Sequence, residues 1–541
     1  MYISACSHAG PETRAICPNY ATSDTNMEGS PEHKSESEPH YNGSDPLHNK
    51  NNGLIAPPIN CLPIEILMRI FELADYLWWK TFFKKERADW PAVWDRSIRK
   101  QMRLGYPELL THVCSLWRQI ALSSSALWSH IDLFTLGHPP QLSLRRSSVF
   151  VTRAQSHTLV LRVRLRHGFY EPVSECTGMS DFCSSIGSKL NTLRIDNTTP
   201  SETTTLFSSI IRASLPHTTP GVLVKLDIED HNVRTISNYG NNIDGLTGWA
   251  FPTSEDLGIS QHLLDDIVHP IKTLRLNGRF FPWQSPAYCG LVELHLLCTR
   301  PQYGHRPSIQ LAQLREILLA CPGLRIFHIN ININEQSIQP ALSPVPLHEL
   351  EELNLRGFKR SLYELLLPLL LPGQRPLQLT FQTLRDEPTV LYCPTLLAFF
   401  RRTNVANLYI MNRHTDYQPL PLNILLTESL PKLHTLGLER FRIDDLESSQ
   451  SSHLTALPSL KLSHLYIRKC ITDMGVLEKM AGILPAQLFK LHELVFEDMP
   501  DGTEARAREE INQMFPVVKW VRSTRGMELW DAWEVEYFDW H

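Results

Sequence analysis

The residues that most often perform chemistry do not stand in the spacings that chemistry requires. The 541 residues include 23 histidines and 11 cysteines, which commonly bind metals or act as nucleophiles. They form no HExxH motif, no CxxC pair and no Cys/His cluster with zinc-ligand spacing. Glycine-rich phosphate loops and the GxSxG motif of hydrolases are absent too. We therefore expect a chain that is not an enzyme and holds no metal or cofactor.

Another set of residues recurs at a spacing that suits binding. The C-terminal half repeats an apolar residue at positions i, i+3 and i+5, with steps of 26, 26, 29, 28, 29 and 29 residues. The seven copies are Leu324/Phe327/Ile329, Leu350/Leu353/Leu355, Pro376/Leu379/Phe381, Val405/Leu408/Ile410, Leu433/Leu436/Leu438, Leu462/Leu465/Ile467 and Leu491/Leu494/Phe496. Because alternate residues of a strand face opposite sides, the residues between these positions face the concave surface of a repeat array.

Charged, histidine and tyrosine residues at those intervening positions are typical of a protein-binding face. Taken singly, each of them also suits an ordinary solvated edge of a sheet. Together they form a candidate surface for a protein partner, which comprises His328, Asn330, Glu352, Asn354, Arg356, Asn407, Tyr409, Glu439, His464, Tyr466, Arg468, Glu493 and Glu497.

The repeat also predicts the fold. Four irregularly spaced copies lie upstream: Leu190/Leu193/Ile195, Leu223/Leu226/Ile228, Ile271/Leu274/Leu276 and Leu291/Leu294/Leu296. Helix-like stretches separate the later copies, so one strand and one helix per copy predict an irregular α/β leucine-rich-repeat solenoid over residues 145–515. Such repeats usually close their turns with Asn or Cys, and only Asn332 and Cys470 occupy that position here. We expect other residues to close the remaining turns.

Between residues 55 and 134 the pattern is helical instead. Apolar residues at positions 62, 66, 67, 70 and 71 form one helical stripe, and Pro63 suits its first turn. A second stripe spans residues 112–122. Two short helices cannot bury this much apolar surface against each other. The surplus predicts either an internal core or a partner.

This segment resembles an F-box in three blocks. Leu62-Pro63-x-Glu65-x-Leu67-x-x-Ile70-Phe71 is similar to the family's opening LPxExLxxIF pattern, and Val113-Cys114-x-x-Trp117-Arg118-x-Ile120-Ala121 to its VCxxWRxIA centre. Leu127-Trp128-x-x-Ile131-Asp132-Leu133 is similar to the closing LWxxIxL pattern. With its divergent repeats, the chain resembles the large F-box-like family of mushroom-forming fungi. The resemblance implies an α+β chain in which an N-terminal all-α F-box precedes the α/β solenoid.

The resemblance also implies a role and partners. F-box proteins dock on a Skp-type adaptor, and through it on a cullin, as the substrate-recognition subunit of an SCF-type (cullin–RING) ubiquitin ligase. The repeats would then bind a protein substrate. The residues that match the family's adaptor contacts are Leu62, Pro63, Ile66, Leu67, Ile70, Val113, Cys114, Trp117 and Trp128.

An insertion at about residues 74–107 departs from the family pattern. It mixes aromatic residues with Lys and Arg, and we interpret it as extra helix that packs on the F-box. The alternative is an insertion that displaces the adaptor, which would leave a leucine-rich-repeat interaction scaffold that no longer binds it.

The ends and the overall composition complete the prediction. Residues 1–53 are polar and poor in aliphatics, which predicts a disordered tail, and residues 516–541 read as a C-terminal cap or tail. A net charge of −5 argues against a nucleic-acid partner. No signal-peptide core or membrane-length apolar run occurs, so we expect no membrane association and a cytoplasmic or nuclear location, or both.

Overall fold

The structure is a computed structural model, and its description covers only part of the chain. The described residues are 59–74, 106–134, 140–165, 178–197, 204–230, 250–298, 307–334, 342–355, 359–383, 393–412, 418–420, 430, 432–443, 462–483, 488–492, 495–496 and 504–521. The predicted tail over residues 1–53, most of the insertion at 74–107 and the end of the chain after residue 521 lie outside them. No helix within the described ranges is long and apolar enough to cross a membrane.

Twelve α-helices and twenty-two strands occur in the described residues. The helices are α1 (residues 64–74), α2 (Ser115–Ser123), α3 (Pro140–Ala154), α4 (Met179–Ile186), α5 (Thr204–Ser214), α6 (Ser254–Leu257), α7 (Gln261–Val268), α8 (Leu311–Leu319), α9 (Arg360–Leu369), α10 (Pro394–Arg402), α11 (Met474–Ile483) and α12 (Glu504–Met514). The strands are β1 (His130–Phe134), β2 (Leu159–Leu165), β3 (Leu190–Asn197), β4 (Lys225–Asp230), β5 (Thr273–Asn277), β6 (Glu293–Leu297), β7 (Ser308–Gln310), β8 (Ile326–Asn330), β9 (Asn332–Asn334), β10 (Val345–Leu347), β11 (Glu352–Leu355), β12 (Leu370–Pro372), β13 (Leu377–Thr383), β14 (Val405–Asn412), β15 (Gln418–Pro419), β16 (Thr435–Glu439), β17 (Phe441–Ile443), β18 (His464–Arg468), β19 (Ile471–Thr472), β20 (Leu488–His492), β21 (Val495–Phe496) and β22 (Val518–Val521).

Helices α1 and α2 form where the apolar stripes predict them. Pro63 directly precedes α1, and its carbonyl accepts a hydrogen bond from the Leu67 amide at 3.1 Å. The Cys114 Sγ caps α2 by accepting a hydrogen bond from the Trp117 amide at 3.5 Å. Leu67 and Phe71 lie one helical turn apart and are buried, and the Phe71 ring packs against Trp117 with 4.8 Å between centroids.

The chain enters the main sheet directly after these helices. Residues 130–134 form β1, which pairs in parallel with β2 so that Ile131 lies opposite Leu161 and Leu133 opposite Val163. The prediction of an all-helical segment up to residue 134 is therefore wrong at its end. Ile131 and Leu133 alternate with half-buried residues, which is the period of a strand that packs on one face.

The main sheet consists of fourteen parallel strands within the described residues. Their order is β1-β2-β3-β4-β5-β6-β8-β11-β13-β14-β16-β18-β20-β22. One column of in-register, fully buried residues crosses the sheet from β2 to β20: Leu161, Leu193, Leu226, Leu274, Leu294, Phe327, Leu353, Leu379, Leu408, Leu436, Leu465 and Phe489. The predicted copies from residue 190 to residue 467 are confirmed, including their irregular steps.

The last predicted copy, Leu491/Leu494/Phe496, is wrong in register. Strand β20 places Phe489 and Leu491 opposite the core residues of β18, so the repeat step here is 24 residues instead of 29. Val495–Phe496 is instead strand β21 of a separate sheet, ordered β15-β17-β19-β21. The residues between them, including Glu493, and the next ladder candidate, Glu497, lie outside the described residues. The main sheet also continues through β22, inside the segment predicted as a cap.

Turns between strands are closed by several residue types, as predicted. The Cys470 Sγ accepts a hydrogen bond from the Phe441 amide of the preceding repeat at 3.4 Å. Asn412 performs a similar role by donating to the Arg440 carbonyl at 3.1 Å. The buried Tyr363 hydroxyl lies 3.0 Å from two carbonyl oxygens, those of Leu355 and Gln382.

Trp128 joins the N-terminal helices to the first repeat. Its indole N–H donates to the Ala121 carbonyl at 2.7 Å, and its ring meets the Phe150 ring edge-on at 5.0 Å. The Arg153 guanidinium lies 4.1 Å above the same indole ring. Leu67 and Trp128 are both 0% exposed. Their prediction as adaptor contacts is therefore corrected, because their side chains support the surface from within instead of lying on it.

Two adjacent residues of α1 test this distinction. Leu67→Ala is expected to lower the free energy of unfolding by about 2–5 kcal/mol, because it leaves a cavity in the core. Ile66→Ala, at a position that is 49% exposed, is expected to change it by less than about 0.5 kcal/mol. Urea denaturation followed by circular dichroism measures both, and equal effects would contradict the assigned burial.

Candidate interaction surfaces

Exposed apolar side chains are concentrated in the N-terminal segment. Twelve large hydrophobic residues are exposed in the described ranges, and seven of them lie between residues 59 and 122. An apolar surface of this density is typical of an interaction site. This N-terminal apolar surface consists of Ile59, Ile64, Ile66, Leu73, Leu109, Val113 and Leu122.

Helix geometry explains how the surface arises. Leu67 and Phe71 use one side of α1 for the core, so Ile66, Ile70 and Leu73 form a stripe on another side. Of the nine predicted adaptor contacts, Pro63, Ile66 and Val113 are exposed. Leu62, Ile70, Cys114 and Trp117 are half-buried beside them. Seven of the nine are thus at least partly accessible, and two belong to the core.

The second surface is the side of the main sheet opposite its leucine column. We call it the ladder face: the residues of the main-sheet strands that alternate with the buried column. Arg356, like Glu493 and Glu497, lies outside the described residues. The structure places the other predicted residues on this face as the repeats imply: His328, Asn330, Glu352, Asn354, Asn407, Tyr409, Glu439, His464, Tyr466 and Arg468.

The upstream half of the ladder face is rich in charge, which the sequence reasoning missed. Arg194 on β3 forms ion pairs with Asp227 at 3.4 Å and Glu229 at 3.7 Å on β4. Arg275 on β5 donates through Nε to the Glu293 carboxylate at 2.6 Å. The signal was available, because the upstream repeat copies place these residues at the same ladder positions as the predicted ones.

Two histidines meet at the centre of the ladder face. His295 on β6 and His328 on β8 are 3% and 1% exposed, with 4.0 Å between ring centroids. His295 Nε2 lies 2.8 Å from the Glu293 carboxylate, and His328 Nε2 lies 2.8 Å from that of Glu352. The sequence reasoning found His328 and missed His295, its counterpart in the preceding copy.

The surroundings of this pair determine which protonation states it can adopt. Burial, the neighbouring His328 and the Arg275 guanidinium hold the pKa of His295 well below its ordinary value. Burial alone would raise the pKa of the Glu293 carboxyl, but the His295 Nε2 atom 2.8 Å away and the charge of Arg275 hold that pKa well below its usual range. At neutral pH the site thus contains an ionised Glu293 beside an uncharged His295.

A third cluster lies on the ladder face in the later repeats, on strands β14, β16 and β18. Gly437 has no side chain, and a Cβ there would overlap the Tyr409 ring. The Tyr409 hydroxyl donates to the Glu439 carboxylate, which is 3.7 Å from the Arg468 guanidinium. Tyr409 and Met411 form a small apolar cluster separate from the main core, with Tyr466 packed against it.

These clusters provide surfaces for binding and no assembled metal site. Within the described ranges, no three His, Cys, Asp or Glu side chains come together as metal ligands. Several ionisable groups of the ladder face pair across neighbouring strands, as Arg194 does with Asp227 and His328 with Glu352. What the geometry supports is recognition by apolar contact at the N-terminal surface and by polar contact along the ladder face.

Comparisons with known proteins identify no family for this chain. No family model matches the chain, and no curated protein sequence matches it. The fold is similar to that of an internalin from Listeria monocytogenes, with 15% identity, a TM-score of 0.28, and coverage of 70% of this chain and 93% of that one. It is also similar to a Bacteroides fragilis protein, with 10% identity, a TM-score of 0.23, and coverage of 68% and 75%. At these TM-scores the assignment of the solenoid rests on the repeats of the chain itself.

The histidine pair predicts a pH dependence of stability. Below about pH 6.5, the ordinary pKa of histidine, the unfolded chain binds a proton at His295 that the folded chain excludes. The free energy of unfolding is therefore expected to fall by about 1.4 kcal/mol per pH unit from this site as the pH decreases towards the folded pKa. Urea denaturation at pH 7.5 and pH 5.5 measures the loss.

His295→Gln should reduce the difference between the two pH values by about 1.4 kcal/mol. The matched control is His269→Gln, at an exposed position after α7, which should leave the difference unchanged. An identical pH dependence in wild type and His295→Gln would contradict the assigned protonation state.

Proposed function

We propose that this chain is the substrate receptor of an SCF-type ubiquitin ligase. Its N-terminal segment would dock on a Skp-type adaptor, and the solenoid would hold a protein substrate for ubiquitin transfer by partner subunits. The chain itself would supply proximity and no catalytic group. A cytoplasmic or nuclear location accompanies this role.

The N-terminal apolar surface is the observation that carries the proposal. A single fully buried Ile, Leu or Val side chain contributes about 1.5–3 kcal/mol. Ile66 and Val113 are 49% and 57% exposed, although they lie within the blocks that resemble an F-box. An adaptor that covered them would remove this surface from water. The buried Leu67, Phe71 and Trp128 beneath them would hold the docking surface in shape.

The direct connection between the N-terminal helices and the main sheet supports the proposed substrate binding by the solenoid. Strand β1 follows the N-terminal helices without a linker domain and begins the same sheet that carries the ladder face. A partner on the N-terminal surface and a partner on the ladder face would therefore bind to one continuous unit. This arrangement suits a receptor that must hold a substrate at a fixed position relative to the ligase.

The alternative is a repeat scaffold that no longer binds the adaptor. The length of the insertion between Ala74 and Pro107 favours it, because the F-box blocks on either side are separated further than the family pattern has them. In that case the repeats would serve protein binding without degradation.

Adaptor binding by surface variants distinguishes the two. Ile66→Asp with Val113→Asp is expected to weaken adaptor binding at least about 100-fold, because two apolar contacts are replaced by charges without partners. Leu142→Asp with Val149→Asp is the matched control: both residues are about as exposed, at 52% and 46%, but lie on α3 outside the F-box blocks. A pull-down of residues 55–541 with purified Skp adaptor measures the effect.

Equal binding by both double variants would contradict the assigned docking surface. Absence of binding by the wild-type chain would contradict the ligase role and favour the scaffold. Thermal unfolding should be unchanged in both variants, because every substituted side chain is solvent-exposed.

A further inference from the structure

Four amide side chains at the centre of the ladder face make no hydrogen bond within the part of the chain that the structure describes. They are Asn354 on β11, Gln378 and Gln382 on β13, and Asn407 on β14, which are neighbouring strands. Asn354 is only 4% exposed and Gln382 only 8%. The Asn354 Oδ1 atom is buried and has no partner.

Buried polar groups in folded proteins almost always have hydrogen-bond partners, so each exception requires an explanation. Core leucines on either side of these residues rule out rotation into the interior. Leu353 and Leu355 flank Asn354, and Leu377, Leu379 and Phe381 alternate with the β13 glutamines. The four side chains therefore lie on the ladder face, where a bound partner would meet them.

In the charged half of the same face, ion pairs between side chains are the main contacts. There Arg194 is paired with Asp227, Arg275 with Glu293, and His328 with Glu352. A charged partner at those positions would compete with ion pairs that are already formed, although single atoms such as the Arg194 Nε are buried there without a hydrogen-bond partner among the described residues. At the four amides a partner would add hydrogen bonds and break none within the described structure.

We propose that these four residues, the amide band, bind the main chain of an extended, uncharged segment of a protein partner. This rests on the proposed role of the repeats as a protein-binding surface and names the kind of segment that the surface takes. A carboxamide carries both an acceptor oxygen and a donor NH2, which is the complement of a peptide group. A surface of amides thus recognises the main chain whatever its side chains are.

The spacing of the band fits an extended chain. Alternate residues of a strand are about 6.7 Å apart, so Gln378 and Gln382 are separated by about 13 Å along β13. Four residues of an extended partner span the same length, and its peptide groups recur on one side every two residues. The partner's main chain can therefore reach both glutamines without bending.

Two neighbours determine what the segment's side chains can be. The Tyr409–Met411 cluster on β14 offers apolar contact beside the band. Glu352 is the one charged residue at pH 7 among the described ladder positions of β11, β13 and β14, and His328 already contacts it. A charged side chain placed over the band would lose water without gaining a counter-ion. The expected segment is therefore apolar or uncharged.

Selection from a phage-displayed library of random 12-residue peptides on the full-length chain tests the proposal. Enriched peptides are expected to be depleted in Asp, Glu, Lys and Arg relative to the library. A synthetic peptide of the enriched sequence should bind at least tenfold more weakly to Gln378→Ala with Asn407→Ala. Thr192→Ala with Thr273→Ala, at the same ladder positions of β3 and β5, should bind within twofold of wild type.

N-methylation of the peptide separates main-chain from side-chain recognition. Methylating the central amide nitrogens one at a time should weaken binding at least tenfold at one or more positions, because it removes a donor and leaves the side chains unchanged. Thermal unfolding of the Gln378/Asn407 variant should match wild type, since neither side chain makes a hydrogen bond in the described structure.

Enrichment of charged peptides, or of no peptide, would overturn the proposed binding by the amide band. Unchanged binding after methylation of every central amide nitrogen would overturn it too. Binding to a glycan array in place of peptides would also overturn it. Adaptor binding is measured on the same preparation. If it is intact while the peptide result fails, the amide band alone is wrong. If adaptor binding fails while the peptide result holds, the ligase role is wrong and the band stands.

Discussion

The in-register column of buried residues from Leu161 to Phe489 is the constraint on which the rest of the structure depends. Each main-sheet strand from β2 to β20 contributes one residue to it, and every one is fully buried. Because side chains alternate along a strand, a slip of one residue would expose the column and bury the ladder residues in its place. The helices between the strands cover this apolar side, so the register of the sheet decides which residues remain for binding.

The same register extends to the N-terminal segment. Ile131 and Leu133 continue the buried positions onto β1. Trp128, which comes shortly before that strand, packs against Phe150 of α3. The helices that resemble an F-box thus lie on the end of the solenoid as part of its core. Their own core uses Leu67 and Phe71, which leaves the neighbouring Ile66 for the surface. The one short helix α1 therefore buries one set of apolar side chains in the core and exposes another set to solvent.

The repeat spacing predicted most of the sheet, because a leucine column cannot be built without a periodic sequence. It failed where two apolar pairs compete: Phe489/Leu491 and Leu494/Phe496 both fit a strand, and only pairing with β18 selects the first. The motif match could not predict that Leu67 and Trp128 are buried. A sequence resemblance does not distinguish residues that contact a partner from residues that pack beneath the contact surface. His295 was predictable and missed, whereas its ring contact with His328 depends on the pairing of β6 with β8.

The proposed function depends on adaptor binding by the N-terminal segment, which leads directly into the first strand of the main sheet. Hydrogen–deuterium exchange of the chain with and without the Skp adaptor tests it most directly. We expect protection on binding in residues 62–73 and 106–122, and unchanged exchange in β3 to β18. Protection confined to the ladder face, or none in the N-terminal segment under conditions where the complex forms, would contradict the account.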